Sequence, residues 1–541
     1  MIPPPMTTTR ARVGTSRVGA SRPVAWGRSW HKTADTRRCF VLGSKQVRGE
    51  DHPEEEMSDV SIPGIDPSTV TAVPIDGAPV VGESWIEVRA PYDGRLLGSV
   101  PSLTAGHVDQ AVAAAKWALH NDPLPQWRRA EILDKAAIVL ASRIEEFAAC
   151  IALEAAKPIK SARVEAQRAV GTFQFSAVQA RSLVGEVVPL EASNVGAGKI
   201  GFSLRIPIGV VGAISPFNFP LNLVVHKLGP AIAAGCPVVL KPASQTPFSA
   251  ILLARMLLED CGLPAGYLHV VTGSGSVVGN ALVDHVDVAL ITFTGSPEVG
   301  WGIRARAPRK RVGLELGNNA PLILEPDGDW RTAVAKLKVA GFSHAGQSCI
   351  STQRLLVHSS IADDVVKELT AAIETLVVGD PLDEATDVSA LISTSERDRV
   401  VAWVAEARAS GATIATGGEV RADGVLPPTL IVDATPDMKV CSLEVFGPVV
   451  AVTRYDDFDD ALRIANDTRY GLQAGVFTSD IGKALQAART LDFGGVLVNE
   501  VPTWRADQQP YGGLRDSGNT REGPAYSVRE MTEERLIILQ A

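Results

Sequence analysis

Residues 209–241 read GVVGAISPFNFPLNLVVHKLGPAIAAGCPVVLK. Gly209–Ile214 is a short apolar, β-branched run that ends before Pro216, which predicts a strand. Leu221–Ala234 is apolar without strand-like alternation and stops at Gly235, which predicts a helix with a glycine stop. Pro237–Leu240 is apolar and β-branched again. Strand, helix and strand follow one another through short connections.

The alternation continues downstream. Pro247 opens a helix at a favoured first-turn position and Gly262 closes it. Phe248, Ile251 and Leu252 give that helix an apolar face. Leu268–Val271 reads as a strand, Ser276–Val283 as a helix and Val288–Phe293 as a strand. Successive βα units with short loops predict a parallel, doubly wound sheet. A second α/β series starts near Pro321–Leu324. It runs through Leu355–Val357, a helix at 361–376, and strands near 412–415, 429–432, 448–454, 474–477 and 495–498. Upstream, 120–182 has a helical pattern, and 184–205 reads as an extended β-hairpin around Gly196 and Gly198.

Composition narrows the classes of function. The chain has 541 residues and a formal net charge of −9, which argues against nucleic acid or an anionic membrane as the main partner. No apolar run is long enough to span a bilayer. The six cysteines are scattered, with no C-x-x-C and no paired histidine spacing, so neither a disulfide framework nor a metal site is expected. A reducing, cytoplasmic setting fits. Residues 1–49 carry eight Arg and two Lys against one acid, Asp35. A mitochondrial presequence, a disordered tail and an over-extended start before Met57 all match that composition. On the presequence reading the compartment is the mitochondrial matrix. On any of them, 1–56 does not contribute to the fold.

Cys349 stands apart from the other cysteines. Its neighbours in Gly346-Gln347-Ser348-Cys349 are small or polar, whereas Cys236 and Cys261 lie in or beside apolar runs. Upstream, Glu315 opens Glu315-Leu316-Gly317-Asn318-Asn319-Ala320-Pro321, at the seam between the two α/β series. A thiol that attacks a carbonyl carbon and a carboxylate that activates water make a reactive pair. Asn218, between two prolines, has the amide donor that an oxyanion needs, though a Pro-rich turn has the same look. Gly273-Ser274-Gly275 with Gly279, and Thr294-Gly295-Ser296 with Gly300, are turns between a strand and a helix. Each reads as a phosphate cradle or as an ordinary turn with an N-cap. Lys241 ends a strand, where doubly wound sheets bind ligands. Glu444 and Phe446 precede an apolar strand and suit a ribose and a flat ring.

These pieces share an order and spacing. P-F-N-F-P, L-K-P-A-S-Q-T-P, F-T-G-S, E-L-G-x-N-A-P, G-Q-x-C, E-V-F-G-P-V and P-Y-G-G-L-R-D-S-G together resemble the aldehyde dehydrogenase superfamily over about residues 85–540. The resemblance implies a Rossmann-like nucleotide-binding domain (57–183 and 206–316) and an α/β catalytic domain (317–502). It also implies a β oligomerisation element (184–205 and 503–541), as in family dimers and tetramers. It implies Cys349 as nucleophile, Glu315 as general base, and Asn218 with the Cys349 backbone N–H as oxyanion hole. Lys241, Ser244, Gly275, Ser296, Glu444, Phe446, Ser215 and Pro216 would line the NADP or NAD site. Ser244 occupies a position where many NAD-using members carry Glu, so NADP is favoured. Pro502–Asp507 looks like the subgroup that takes small polar aldehydes such as lactaldehyde or glyceraldehyde 3-phosphate. Arg505, and more distantly His226, are candidates to meet an anionic tail. The alternatives are acyl transfer to coenzyme A, which Glu315 argues against, and a silent homologue. Asn318 departs from the usual Gly and is expected either to take a positive φ or to re-aim Glu315. The departures at 516–523 fall in a stretch expected to be structural, with little effect on catalysis.

Overall fold

Val210–Ile214 is the central strand of a five-stranded, all-parallel sheet in the computed structural model, which describes residues 61–540. The expectations for 1–56 lie outside the described residues. Strands 238–241 and 268–270 fill one flank of the sheet. Strands 288–294 and 311–315 then fill the other. The strand order therefore reverses between 210–214 and 288–294, and a crevice opens beyond the carboxyl ends of the strands at such a point. The register aligns Ile214 with both Lys241 and Phe293, and Thr294 with Glu315. Ser215–Asn218, Lys241, Thr294–Ser296 and Glu315 thus emerge along one edge.

The first predicted helix runs Asn222–Ala234 with every residue buried, which is why it lacks amphipathic periodicity. Gly235 ends it at φ 84°, its N–H bonding back to the Ala231 and Ile232 carbonyls. The next two predicted helices are less regular. Phe248–Arg255 continues into a wide π-turn at Met256–Asp260, and a π-turn at Gly275–Gly279 precedes a short helix, Asn280–Asp284.

The second series forms a seven-stranded sheet in the order 413–416, 429–432, 449–455, 354–358, 321–324, 473–477, 495–498. Only the edge strand 413–416 is antiparallel. Leu322 and Leu324 enter one apolar core and Ile323 enters another, so alternate side chains of this strand face opposite sides of the sheet. A separate core joins buried side chains from Ile62 to Leu316 with Val528 and Met531. At about 1.5–3 kcal/mol for each fully buried Val, Ile or Leu, these cores are the main favourable contribution to folding.

The 184–205 segment is not a simple hairpin. Val187–Val188 pairs briefly with Lys199–Pro207, two tight turns lie between them, and the main partner of 199–207 is the carboxyl-terminal strand Thr532–Gln540. The register runs from Thr532 opposite Pro207 to Gln540 opposite Lys199. Two small antiparallel pairs, 73–75 with 78–80 and 85–89 with 96–101, were not anticipated because each is short and flanked by turn residues. Among the described residues no helix is long and apolar enough to cross a membrane.

Candidate active site

The amino-terminal edge of the seven-stranded sheet faces the carboxyl edge of the five-stranded one. Gly317, Gln347 with Cys349, and Glu444 with Phe446 precede its strands 321–324, 354–358 and 449–455. They line the same cavity, of about 650 Å³, as Pro216, Asn218, Ser296 and Glu315.

Cys349 follows a turn with unusual backbone. His344, Ala345 and Gly346 have φ of 49°, 53° and 70°, so three successive residues are left-handed. Only Gly fits at 346, because a Cβ there would lie 2.0 Å from the Gly447 carbonyl oxygen. The Cys349 loop is thereby pressed against the loop carrying Glu444 and Phe446. Asn218 is held at both ends. Its side-chain Nδ2 donates to the Gln347 carbonyl (2.9 Å), and its own carbonyl accepts from Lys157 Nζ (2.6 Å). Lys157 pairs with Glu165, and both side chains are 1% exposed. The other Glu165 oxygen accepts the Leu221 and Asn222 N–H groups at 3.0 and 3.1 Å. One buried ion pair thus ties the Pro-Phe-Asn-Phe-Pro turn to the start of the buried helix.

The reactive groups rest in protonated forms. Burial pushes the Cys349 thiol up to about 12. Its Sγ lies 2.8 Å from the Tyr511 hydroxyl, in an apolar cluster with Ile350 and Leu472. Both Glu315 oxygens are buried with no hydrogen-bond partner. Burial first, and then the nearby Glu522 carboxylate, hold Glu315 well above the usual carboxylate range. Burial would raise Glu522 too, but His226, Arg505 and Lys227 hold it below that range. Of the two acids, Glu315 keeps the proton and Glu522 the charge. The 516–523 stretch was expected to be only structural. The structure brings its Glu522 into the charge field of Glu315, while Asn519 pairs with the backbone of Val312 and Leu314.

Arg505 and His226 do not open onto the cavity. The Arg505 side chain is 5% exposed, its Nη2 is 3.1 Å from Glu522, and its guanidinium lies 3.7 Å from the Tyr511 ring centre. His226 is fully buried with Nε2 2.9 Å from Asp507. Both are spoken for by internal acids, so neither meets a substrate tail directly here. Asn318 does not take a positive φ. Its N–H donates to Glu444 (2.9 Å) and its Nδ2 to the Gln473 carbonyl (3.2 Å), tying the loop after Glu315 to both neighbours.

The cofactor candidates divide into two groups. Ser296 caps helix Pro297–Arg306 without a side-chain bond to it, and this helix start, Ser296 to Glu298, lines the cavity. Phe446 meets Phe217 edge-on at 5.8 Å. Burial raises Glu444 to about 7. Lys241, Ser244, Gly275 and Ser215 stand just outside the cavity lining. Lys241 Nζ donates to the Pro242 carbonyl (3.1 Å), and burial lowers it to about 8. Ser244 donates to the Gly273 carbonyl (3.1 Å), joining this strand end to the glycine turn that contains Gly275. The Ser215 hydroxyl is buried and unpartnered. A helix amino terminus, an orphaned hydroxyl and paired aromatic rings fit a dinucleotide, whose phosphates suit the helix end. The sequence did not flag Glu396, Arg399 and Trp403, on helix Thr394–Ala409, which also line the cavity. Arg399 lies over Trp403 (4.7 Å) and donates to the Val445 carbonyl (2.7 Å).

The family model described as "Aldehyde dehydrogenase family" matches residues 80–537. A 3-sulfolactaldehyde dehydrogenase of Priestia megaterium is 46% identical over 454 residues, which is 84% of this chain and 94% of that protein. The structure of aldehyde dehydrogenase 21 from Physcomitrella patens, in complex with the reaction product succinate, superposes with a TM-score of 0.84 at 39% identity. It covers 87% of this chain and 98% of that one. Glyceraldehyde-3-phosphate dehydrogenase GapN of Methanocaldococcus jannaschii, complexed with NADP, gives 0.81 at 38% identity, covering 84% and 99%.

Removing one partner of a buried ion pair strands the other charge. Lys157→Met is expected to lower stability by about 3–5 kcal/mol in urea unfolding. Adding Glu165→Gln should recover part of that loss. A single variant as stable as the parent would contradict the clamp.

Proposed function

The chain belongs to the aldehyde dehydrogenase family and is an NAD(P)-dependent oxidoreductase of small aldehydes, and on that premise we propose that Cys349 is its nucleophile, Glu315 its general base and Asn218 its oxyanion donor. One observation carries this reading: the three side chains line a single cavity between the two sheets. The bound dinucleotide supplies the acceptor for the two electrons of oxidation. The protein's own part is to attach, hold and release the acyl carbon. The Cys349 sulfur adds to the aldehyde carbon as a hemithioacetal and carries the oxidised product as a thioester. Asn218 has a second N–H besides the one bound to Gln347, and that donor holds the substrate oxygen. Glu315, once deprotonated, takes a proton from the water that cleaves the thioester.

We read residues 57–183 with 206–316 as the nucleotide-binding domain and 317–502 as the catalytic domain. Segments 184–205 and 503–541 then form the oligomerisation element. Leu536, Ile538, Leu539 and Ile200 are at least half exposed on its sheet, which favours a homodimer or homotetramer. Sedimentation as a monomer would remove that reading. The free cysteines among the described residues support a cytoplasmic setting. For substrate we propose a short polar aldehyde with an acidic or hydroxyl-bearing tail. It is supported by the sulfolactaldehyde, succinate and glyceraldehyde-3-phosphate relatives. The value of kcat/KM should be at least about tenfold higher for 3-sulfolactaldehyde than for propanal, a difference of about 1.4 kcal/mol.

Glu315→Gln should release about one reduced cofactor per active site and then stall, because acylation proceeds and deacylation does not. Wild-type turnover should rise with pH above the ordinary carboxylate range, since Glu315 must lose its proton first. A rapid, linear Glu315→Gln time course would remove the base. Cys349→Ala should be inactive.

We propose that NADP is preferred, with Lys241 meeting the 2′-phosphate beside Ser244. Free Lys241 loses its proton near pH 8. The preference for NADP over NAD, read as the ratio of their Kd values, should therefore be largest below pH 8 and shrink above it. A ratio that stays constant across that range would exclude Lys241.

A further inference from the structure

We propose that Tyr511 is a catalytic residue, whose hydroxyl donates a hydrogen bond to the Cys349 sulfur and supports its negative charge whenever that sulfur is anionic. The proposal rests on the reading of Cys349 as nucleophile.

The geometry is specific. Tyr511 Oη lies 2.8 Å from Sγ, close for a contact to sulfur, and among the described residues neither atom has another hydrogen-bond partner. Tyr511 is 2% exposed. The other side chains in the cluster, Ile350 and Leu472, are apolar. Cys349 is half-buried, and on its packed side a thiolate without a donor would meet only apolar groups, which is disfavoured. Tyr511 is the group placed to prevent that.

The donor is strengthened from behind. The Arg505 guanidinium lies over the Tyr511 ring at 3.7 Å. A cation on the ring face draws electron density from it, which makes the phenol O–H a stronger donor. Glu522 holds Arg505 in that position (3.1 Å). Burial also holds the phenol well above its usual range, so it stays protonated at neutral pH. This gives the buried Arg505 a task that does not require it to reach the cavity.

The sulfur is anionic twice in the cycle. Before attack, the S–H bond breaks and its proton leaves to solvent water, while Tyr511 keeps its own proton and shares it with Sγ. The sulfur lone pair then forms the C–S bond and the charge moves to the aldehyde oxygen. During hydrolysis the C–S bond breaks, its electron pair returns to sulfur, and the same hydroxyl receives the leaving thiolate. No electrons pass to or from Tyr511.

The test is iodoacetamide alkylation of the full-length enzyme, with Cys349 followed by peptide mass spectrometry across pH. Cys150, Cys236, Cys261 and Cys441 are buried and report separately. Tyr511→Phe keeps the ring and removes only the hydroxyl. It should displace the rate–pH curve upward by about 1 pH unit, which is about tenfold slower labelling at neutral pH, with melting temperature and NADP affinity unchanged. Incorporating 3-fluorotyrosine at 511 gives a more acidic phenol and should displace the curve downward. An unmoved curve in either folded protein overturns the proposal, and the fluorinated protein decides alone if the Phe variant does not fold. The underlying reading fails separately: an active Cys349→Ala enzyme would remove the nucleophile, whereas an inactive one with unmoved alkylation curves would remove only Tyr511.

Discussion

A carboxyl group with no hydrogen-bond partner, buried where two sheets face each other, is the constraint on which this cleft depends. Glu315 ends its strand with both oxygens out of water and unpaired. Leaving such a group unsatisfied disfavours the folded state by about 1–3 kcal/mol. The surroundings compensate by over-determining its position. The segment after the strand is tied through Asn318 to Glu444 and Gln473, and Asn519 is bonded along the strand itself. Glu522, with Arg505 and Lys227, sets which of two close acids carries the charge. The result is a strong proton acceptor that rests protonated and must lose that proton before it can take one from water.

The sequence carried the reacting groups clearly because each interrupts a pattern. Cys349 is a thiol among small polar residues, Glu315 is an acid at the seam before an apolar strand, and Asn218 sits between two prolines. The strands 210–214, 238–241 and 288–294 were legible for the opposite reason, since nothing interrupts them. The helix 222–234 was placed to within one residue, by its glycine stop and not by periodicity.

What the sequence concealed is long-range. Arg505 and Tyr511 are close in the chain, but their tasks depend on Glu522, His226 and Cys349, and no local spacing encodes those pairings. Arg505 looked like a substrate contact because Pro502–Asp507 resembles a subgroup that takes small polar aldehydes, and the acid that occupies it, Glu522, lies farther along the chain. Arg399 and Trp403 belong to no motif, so nothing local marked them as cavity residues. The π-turns at 256–260 and 275–279 escaped because helix signals give start, stop and face, but not a local widening of the spiral.

The contact between Gly346 and Gly447 has a consequence for how this protein can be altered. Backbone meets backbone there with no side chain to adjust, so the thiol-bearing loop and the loop of Glu444 and Phe446 behave as one interlocked part. A loop transplanted from a relative into either place would carry a shape cut to its own former neighbour. Chimeras that exchange both segments together keep the match, and in engineering terms the pair, rather than either loop, is the smallest interchangeable module.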